Sequence, residues 1–275
     1  MKPALLLNGA ATADGLAWSR GLHYGDGVFR TCLIYSSQII DIDEQIEKLS
    51  GDARQLGLQP PAARVLAREA ARLAKGCSRA VLKVLLMRSD VGRGYRSAVA
   101  ACDRLLCRSA APQYPAAAWE RGIRAVRTDF HLAAQPELAG IKHLNRLEQV
   151  LASRKWPDGA DEIIVADAEG LPLSGTRSNL FWVAGGVLRT PALDRCGVAG
   201  RMRDRVLAAA GAQSVPARIA AGTWAELEKA DEAFVTNSLV GIWPLASMGS
   251  RRWKAPGPVT RRLMEQLRHP RLVKA

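Results

Sequence analysis

Apolar residues between positions 43 and 58 recur at helical spacing, with Ile46, Leu49, Ala53 and Leu56 on one stripe, so this stretch predicts an amphipathic helix. Residues 62–75 repeat the pattern and predict a second. Short apolar runs at 4–7, 38–41 and 81–87 have the length of strands and surround these helices, which makes the first part of the chain an α+β arrangement. The segment RSAAPQYPAAAWE at 108–120 breaks the pattern. It is poor in large aliphatic residues, and Pro112 and Pro115 lack the N–H that a strand ladder needs. It reads as a linker, giving expected domains at 1–110 and 121–275 joined by residues 111–120. Past it, strand-length runs at 123–128, 162–166, 180–183, 187–190 and 233–236 are punctuated by glycine and proline turns and by helical stretches near 144–154 and 201–210. Many short strands predict a barrel-like second domain.

With 275 residues and 48% hydrophobic content, the chain has enough apolar material for a packed core. Its five cysteines, Cys32, Cys77, Cys102, Cys107 and Cys196, include no C-x-x-C pair and no histidine partners at metal spacing. Reduced thiols in the cytoplasm are therefore expected, and a zinc site is not. The opening MKPALLLNGA has a short apolar run, too brief for a signal sequence or a membrane span, and reads as a first strand. A formal charge of +13 raises nucleic acid as a partner, because clustered Lys and Arg neutralise phosphates. Yet residues 251–275 hold eight Lys or Arg against one Glu, a net +7 of that excess, and the rest is dispersed. No helix-turn-helix, zinc finger or ribonucleoprotein pattern accompanies the charge. The tail reads as a solvated basic helix that tolerates anionic ligands.

Candidate chemistry begins with AGIKHLNRLEQVL at 139–151, where Leu144, Leu147, Val150 and Leu151 are expected to line one helical face with Lys142 just before it. A lysine among small and apolar neighbours is desolvated, its pKa falls, and the neutral amine attacks aldehydes. Taken alone, the segment fits a snorkelling surface lysine better. The glycine-bracketed LDRCGVAGRMRDRVL offers backbone N–H groups at Gly197, Val198, Ala199 and Gly200 and the positive end of a helix, a potential phosphate site, although such loops are more often plain helix starts. Thr236, Asn237 and Ser238 follow a strand and offer donors to an anion or an ordinary capped turn. RGLHYGDGVFRT at 20–31 makes a tight turn, and RSDVGRGYR at 88–96 gathers Arg88, Arg93 and Arg96 beside Tyr95, as a carboxylated substrate requires; each alone is more readily a turn or a basic loop.

Together and in this order, these segments resemble the fold-type IV family of pyridoxal-phosphate enzymes, over about residues 8–245. The matching motifs are RG-x-x-YGDG-x-F, the lysine segment, the S-N-L-F strand, LD-x-x-GV-x-G and the TNS-L turn. The resemblance implies an α+β fold with a smaller N-terminal α/β sandwich domain and a larger C-terminal pseudo-barrel, assembled as a homodimer with active sites near the subunit interface. It implies pyridoxal 5'-phosphate as cofactor, Lys142 as the Schiff-base lysine, and cofactor contacts from Lys48, Ser174, Asn179, Val198, Ala199, Asn237 and Ser238.

Within the family, KHLNRLEQVLA resembles the 4-amino-4-deoxychorismate lyases, since branched-chain aminotransferases place a tyrosine shortly after the lysine where this chain has Asn145 and Arg146. That branch implies conversion of aminodeoxychorismate to 4-aminobenzoate and pyruvate in folate biosynthesis. Lys142 is then the general base, Thr31 a candidate proton donor, and Arg88, Arg93, Tyr95 and Asn145 candidate substrate contacts. An amino-acid aminotransferase, or a cofactor-binding paralogue with altered activity, stays open. The chain departs from the family pattern at Lys48, where an arginine usually grips the phosphate, and at Ser19, where an aspartate usually precedes the arginine of the first motif. The largest departure is Ser174, at the position of the glutamate that pairs with the pyridine nitrogen. A hydroxyl leaves the cofactor a weaker electron sink, which suits a lyase step driven by aromatisation better than transamination.

Overall fold

The structure, a computed structural model, describes residues 4–274. The chain divides into a first unit that runs to Pro112 and takes in Ile141–Arg146, and a second formed by Gln113–Gly140 and the chain from Leu147 onward.

The first unit contains β1 (Ala4–Leu7), α1 (Arg20–Tyr24), β2 (Gly27–Tyr35), β3 (Gln38–Ile39), α2 (Ile42–Gln55), α3 (Ala63–Ala74), β4 (Arg79–Arg88) and β5 (Cys102–Ala110). Its strands form an antiparallel five-stranded sheet in the order β1-β5-β4-β2-β3. Strand alternation sends Val28, Cys32 and Ile34 of β2, with Ala80, Leu82, Val84 and Leu86 of β4, to one face. There they pack against Ile46, Leu49 and Ala53 of α2 and Leu66, Ala70 and Leu73 of α3. The helical stripe in the sequence is the stripe that is buried. The opposite face carries Phe29, and Thr31 directly opposite Lys83.

In the second unit come α4 (Ala117–Glu120), β6 (Ile123–His131), α5 (Leu147–Ser153), β7 (Glu162–Ala166), β8 (Pro172–Gly175), β9 (Asn179–Ala184), β10 (Val187–Thr190), α6 (Arg201–Ala212), β11 (Ala217–Ile219), α7 (Trp224–Lys229), β12 (Glu232–Asn237), β13 (Gly241–Met248), β14 (Arg251–Arg252) and α8 (Pro258–Leu267). Its nine-stranded sheet runs β11-β10-β9-β12-β13-β6-β7-β8 with β14 on β13, and a further pairing of β8 with β9 closes it on itself. This is the expected barrel, and its seam is the Ser174–Asn179 pair.

The structure revises three local expectations. Lys142 and Leu144 are not in or beside a continuous helix: Phe29 N–H donates to Lys142 O and Leu144 N–H to Gly27 O, both at 2.9 Å, so the lysine segment is extended along β2 and groups with the first unit. The helix begins only at Leu147, and Leu147 (68% exposed), Val150 (58%) and Leu151 face outward, while Ala152 is the residue it buries. Residues 113–120, expected within the linker, belong to the second unit. Tyr114 N–H donates to Leu272 O at 2.8 Å, and the Tyr114, Trp119 and Trp243 rings pack edge to face. The basic tail is likewise only half solvated: α8 turns Arg261 and Arg262 outward, Leu263 and Leu272 are fully buried, and the buried Glu232 carboxylate accepts from Val259 and Thr260 N–H at 2.8 Å.

Candidate active site

In the first unit the site is organised by Lys142. Its side chain leaves the extended segment with Nζ 4.6 Å from the centroid of the Phe29 ring, and Lys83 Nζ stands 4.4 Å from the same ring. Some of the residue still meets solvent, yet the ammonium lies in dense protein. Desolvation, followed by the nearby Arg30, Arg146 and Lys83 charges, pulls its pKa down to about 7, against which Asp52 acts weakly in the other direction. An amine so desolvated is suited to act as a nucleophile or base near neutral pH, and its place against the Phe29 ring is not that of a lysine snorkelling to the surface. His143, the next residue, is held neutral at a pKa of about 4 by burial and by Arg146 and Lys142.

Sequence inspection passed over Phe29 as a participant, and also Lys83, Arg30 and Asp52. Arg30 occupies an inward position between Val28 and Cys32, and Asp52 lies on the buried stripe between Leu49 and Ala53. A charge at an apolar position of a period-2 or period-3.6 pattern was the available signal. Arg30 Nη2 donates to Asp52 Oδ2, and the same oxygen accepts from the backbone N–H of Lys142 at 3.0 Å.

The RG-x-x-YGDG turn is a scaffold. Arg20 Nε and Arg88 Nε each donate to Asp26 Oδ2 at 2.9 Å; Arg20 also donates to Gly94 O and Tyr95 O, and Arg88 to Val99 O and Leu56 O. Each nitrogen of the Arg88 guanidinium thus has an acceptor inside the unit, which makes Arg88 a strut for the loop. Arg93 and Tyr95 are carried by that loop at the surface, Tyr95 being 89% exposed with its ring edge-on to Tyr24. Asn145 Nδ2 donates to Gly25 O at 3.2 Å, and a Cβ on Gly25, at φ +63°, would lie 2.2 Å from Asn145 Oδ1, so only glycine fits there. Ser19 caps α1 by accepting from Leu22 N–H, a task that an aspartate performs equally well. Lys48 is half-buried on α2, and Thr31 is half-buried on the Phe29 face of β2.

In the second unit the loop before α6 is pinned from two sides. Asn179 Nδ2 donates to Val198 O at 2.7 Å while its Oδ1 accepts from Gly200 N–H at 3.1 Å; Gly140 N–H donates to Gly197 O, and Ala199 N–H donates to Gly140 O. The N–H groups of Ala199 and Gly200, expected to be free for an anion, are thus taken up by the loop's own supports. Gly200 caps α6 without a side-chain hydrogen bond, and the positive end of the helix dipole is what this loop presents to an anion. Asn237 Oδ1 accepts from Leu239 and Val240 N–H, shaping the turn that carries Ser238. Ser174, buried at the barrel seam, has no help from the neighbouring carboxylate. Glu162 projects toward Gly175 and already accepts from Thr176, Ser178 and Ile163.

The first unit thus holds a lysine amine of depressed pKa, and the second a pinned glycine loop feeding a 12-residue helix within a closed sheet. Residues 27–248 match the amino-transferase class IV family, and the chain belongs to it, a family of pyridoxal-phosphate enzymes of fold type IV. Among its relatives, the aminodeoxychorismate lyase of Vibrio harveyi is 31% identical over 254 residues, 90% of this chain and 93% of that one. The crystal structure of 4-amino-4-deoxychorismate lyase from Pseudomonas aeruginosa superposes with a TM-score of 0.86 at 36% identity, covering 96% of this chain and 98% of that one. The branched-chain amino acid aminotransferase of Escherichia coli follows with a TM-score of 0.84 at 26% identity, covering 95% and 92%. A desolvated lysine amine and the positive end of a helix fit an aldehyde and a phosphate, while at the position where the family resemblance implies a carboxylate for the ring nitrogen this chain has the buried Ser174. Among the described residues no helix is long and apolar enough to cross a membrane.

Proposed function

We propose that this enzyme is a lyase that converts 4-amino-4-deoxychorismate to 4-aminobenzoate and pyruvate. The observation that carries this is the segment KHLNRLEQVLA, beginning at Lys142, in which Asn145 and Arg146 stand where branched-chain aminotransferases place a tyrosine. The similarity to two lyases at 31% and 36% identity supports it. When bound, pyridoxal phosphate supplies an aldehyde for the substrate's ring amine and an electron-accepting ring for the pair left by a departing proton. Lys142 is the residue to hold that aldehyde and, once displaced by the substrate amine, to remove the C4 proton at Nζ; its pKa of about 7 leaves the amine neutral often enough to do so. Breaking the C3–O bond completes the aromatic ring and releases the enolate of pyruvate, whose methylene carbon takes the proton from the Lys142 ammonium, directly or through the Thr31 hydroxyl on the Phe29 face.

The α6 N-terminus with Val198, the Asn237–Ser238 turn and Lys48 are the elements to receive the phosphate, with Ala199, whose N–H is spent on Gly140 O, shaping the loop beside them. Lys83 joins Arg93 and Tyr95 as a candidate for the substrate carboxylates, because it shares the Phe29 ring with Lys142. The outward apolar face of α5, Leu147, Val150 and Leu151, supports the expected homodimer; sedimentation at twice the 29.7 kDa chain mass tests it. The function is tested with enzymatically generated aminodeoxychorismate. Wild type is expected to release pyruvate and 4-aminobenzoate in equal amounts, and Lys142→Ala neither. Cycling of a keto-acid acceptor without aromatic product would instead make the enzyme an aminotransferase.

A further inference from the structure

A buried ion pair is an uncommon choice between a sheet and its covering helices. Desolvating both charges offsets most of their attraction, and apolar residues of similar size serve stability as well. Arg30 is 2% exposed and Asp52 7%, each set among aliphatic neighbours on the helix side of β2. What distinguishes the place is its third member: the Asp52 oxygen that accepts from Arg30 also accepts from the backbone N–H of Lys142. We propose that Arg30 and Asp52 are positioning residues for Lys142. In this arrangement the Asp52 carboxylate fixes the lysine's backbone, Arg30 fixes Asp52, and the two opposite charges set the field in which the lysine amine exchanges its proton.

The charged and titratable groups around the amine come from every adjoining element: Arg30 from β2, Lys83 from β4, Asp52 from α2, and Arg146 and His143 from the lysine's own segment. Of these only Asp52 favours the ammonium, while Arg30 is the strongest of the charges opposing it. A scaffold pair would add stability alone. A pair straddling the lysine pulls in opposite senses, so its members leave opposite signatures when removed.

This inference rests on Lys142 as the reactive lysine, but its test reads the amine directly and holds whichever reaction the enzyme performs. The full-length chain, stripped of bound pyridoxal phosphate and checked by thermal melting, is labelled with trace acetic anhydride across a pH series, and acetylation of Lys142 is followed by mass spectrometry. Wild type is expected to show a midpoint near 7. Arg30→Met is expected to raise the midpoint and slow labelling at neutral pH by roughly three- to tenfold, and Asp52→Asn to lower it. Arg30→Lys, which keeps the charge, is expected to restore the wild-type midpoint. Shifts of the same sign in Arg30→Met and Asp52→Asn, or no shift in either, overturn the proposal. If a single variant does not fold, the double Arg30→Met/Asp52→Asn variant, which leaves no charge unpaired, decides the matter. Because Arg30 outweighs Asp52, its midpoint is expected above wild type, and one at or below wild type overturns the proposal.

Discussion

Ser174 stands where the family carries a glutamate, and its hydroxyl shares a hydrogen bond without adding a counter-charge for a protonated ring nitrogen. Aromatisation drives the lyase step, so that step tolerates the loss better than transamination does. Ser174→Glu is therefore expected to raise transamination of a keto acid by about tenfold, equivalent to about 1.4 kcal/mol of barrier, while changing lyase turnover much less. Parallel assays of the two reactions check this, and an equal rise in both would show that the hydroxyl limits the lyase too. Lys142 links chemistry to stability. Its folded pKa of about 7 lies below the ordinary 10.5, so the unfolded chain binds more protons between those values. The cost of burying the ammonium is thus complete below pH 7 and fades as pH rises toward 10.5. Lys142→Met in the cofactor-free protein is expected to be more stable at neutral pH by roughly 2–4 kcal/mol, with the gap closing in alkali. Melting curves across pH test it; a gap that does not change with pH would assign the gain to packing alone.

At the scale of elements, the Gly197–Gly200 loop owes its shape to Asn179, which spans it with one donated and one accepted bond. Asn179→Ala removes both, leaving Val198 O and Gly200 N–H to find other partners. The expected cost is roughly 1–3 kcal/mol of stability together with weaker cofactor retention. Thermal melts and equilibrium dialysis of the cofactor report on the two effects, and unchanged retention would place the loop away from the phosphate. The loop was readable from its glycines; its supports were not, because Gly140 and Asn179 are distant in sequence. The same division holds elsewhere. The α2 and α3 helices were legible since each buries a single stripe, and β1, β7 and β10 since each is one short apolar run. The β2 strand escaped because its apolar alternation is interrupted by Arg30, whose partner Asp52 is 22 residues away. The α5 stripe was legible as a pattern but misleading as to burial: Leu147 and Val150 follow helical period yet face outward. Lys142 was legible as a motif, while its depressed pKa depends first on burial and then on the charges of Arg30 on β2, Arg146 and Lys83 on β4, which only the fold assembles.

For the whole molecule, the net charge of +13 acts at long range, and the dispersed arginines outside the tail are part of that field. The proposed substrate carries two carboxylates, so its encounter with the enzyme is attractive and screened by salt, with a Debye length of about 10 Å at 0.1 M. Raising the salt from low to physiological ionic strength is expected to lower kcat/KM several-fold while leaving kcat nearly unchanged, because steering changes encounter and not the chemical step. Neutralising the tail separates its share from the rest. Arg261→Gln with Arg262→Gln removes two exposed charges from α8 without touching its buried face, so folding is expected to survive. If the tail contributes to the field, the double variant shows a shallower salt dependence at unchanged kcat. If the salt dependence of kcat/KM is identical in the two proteins, the steering charge lies in the remainder of the chain, with Lys83 and Arg93 the first residues to substitute next.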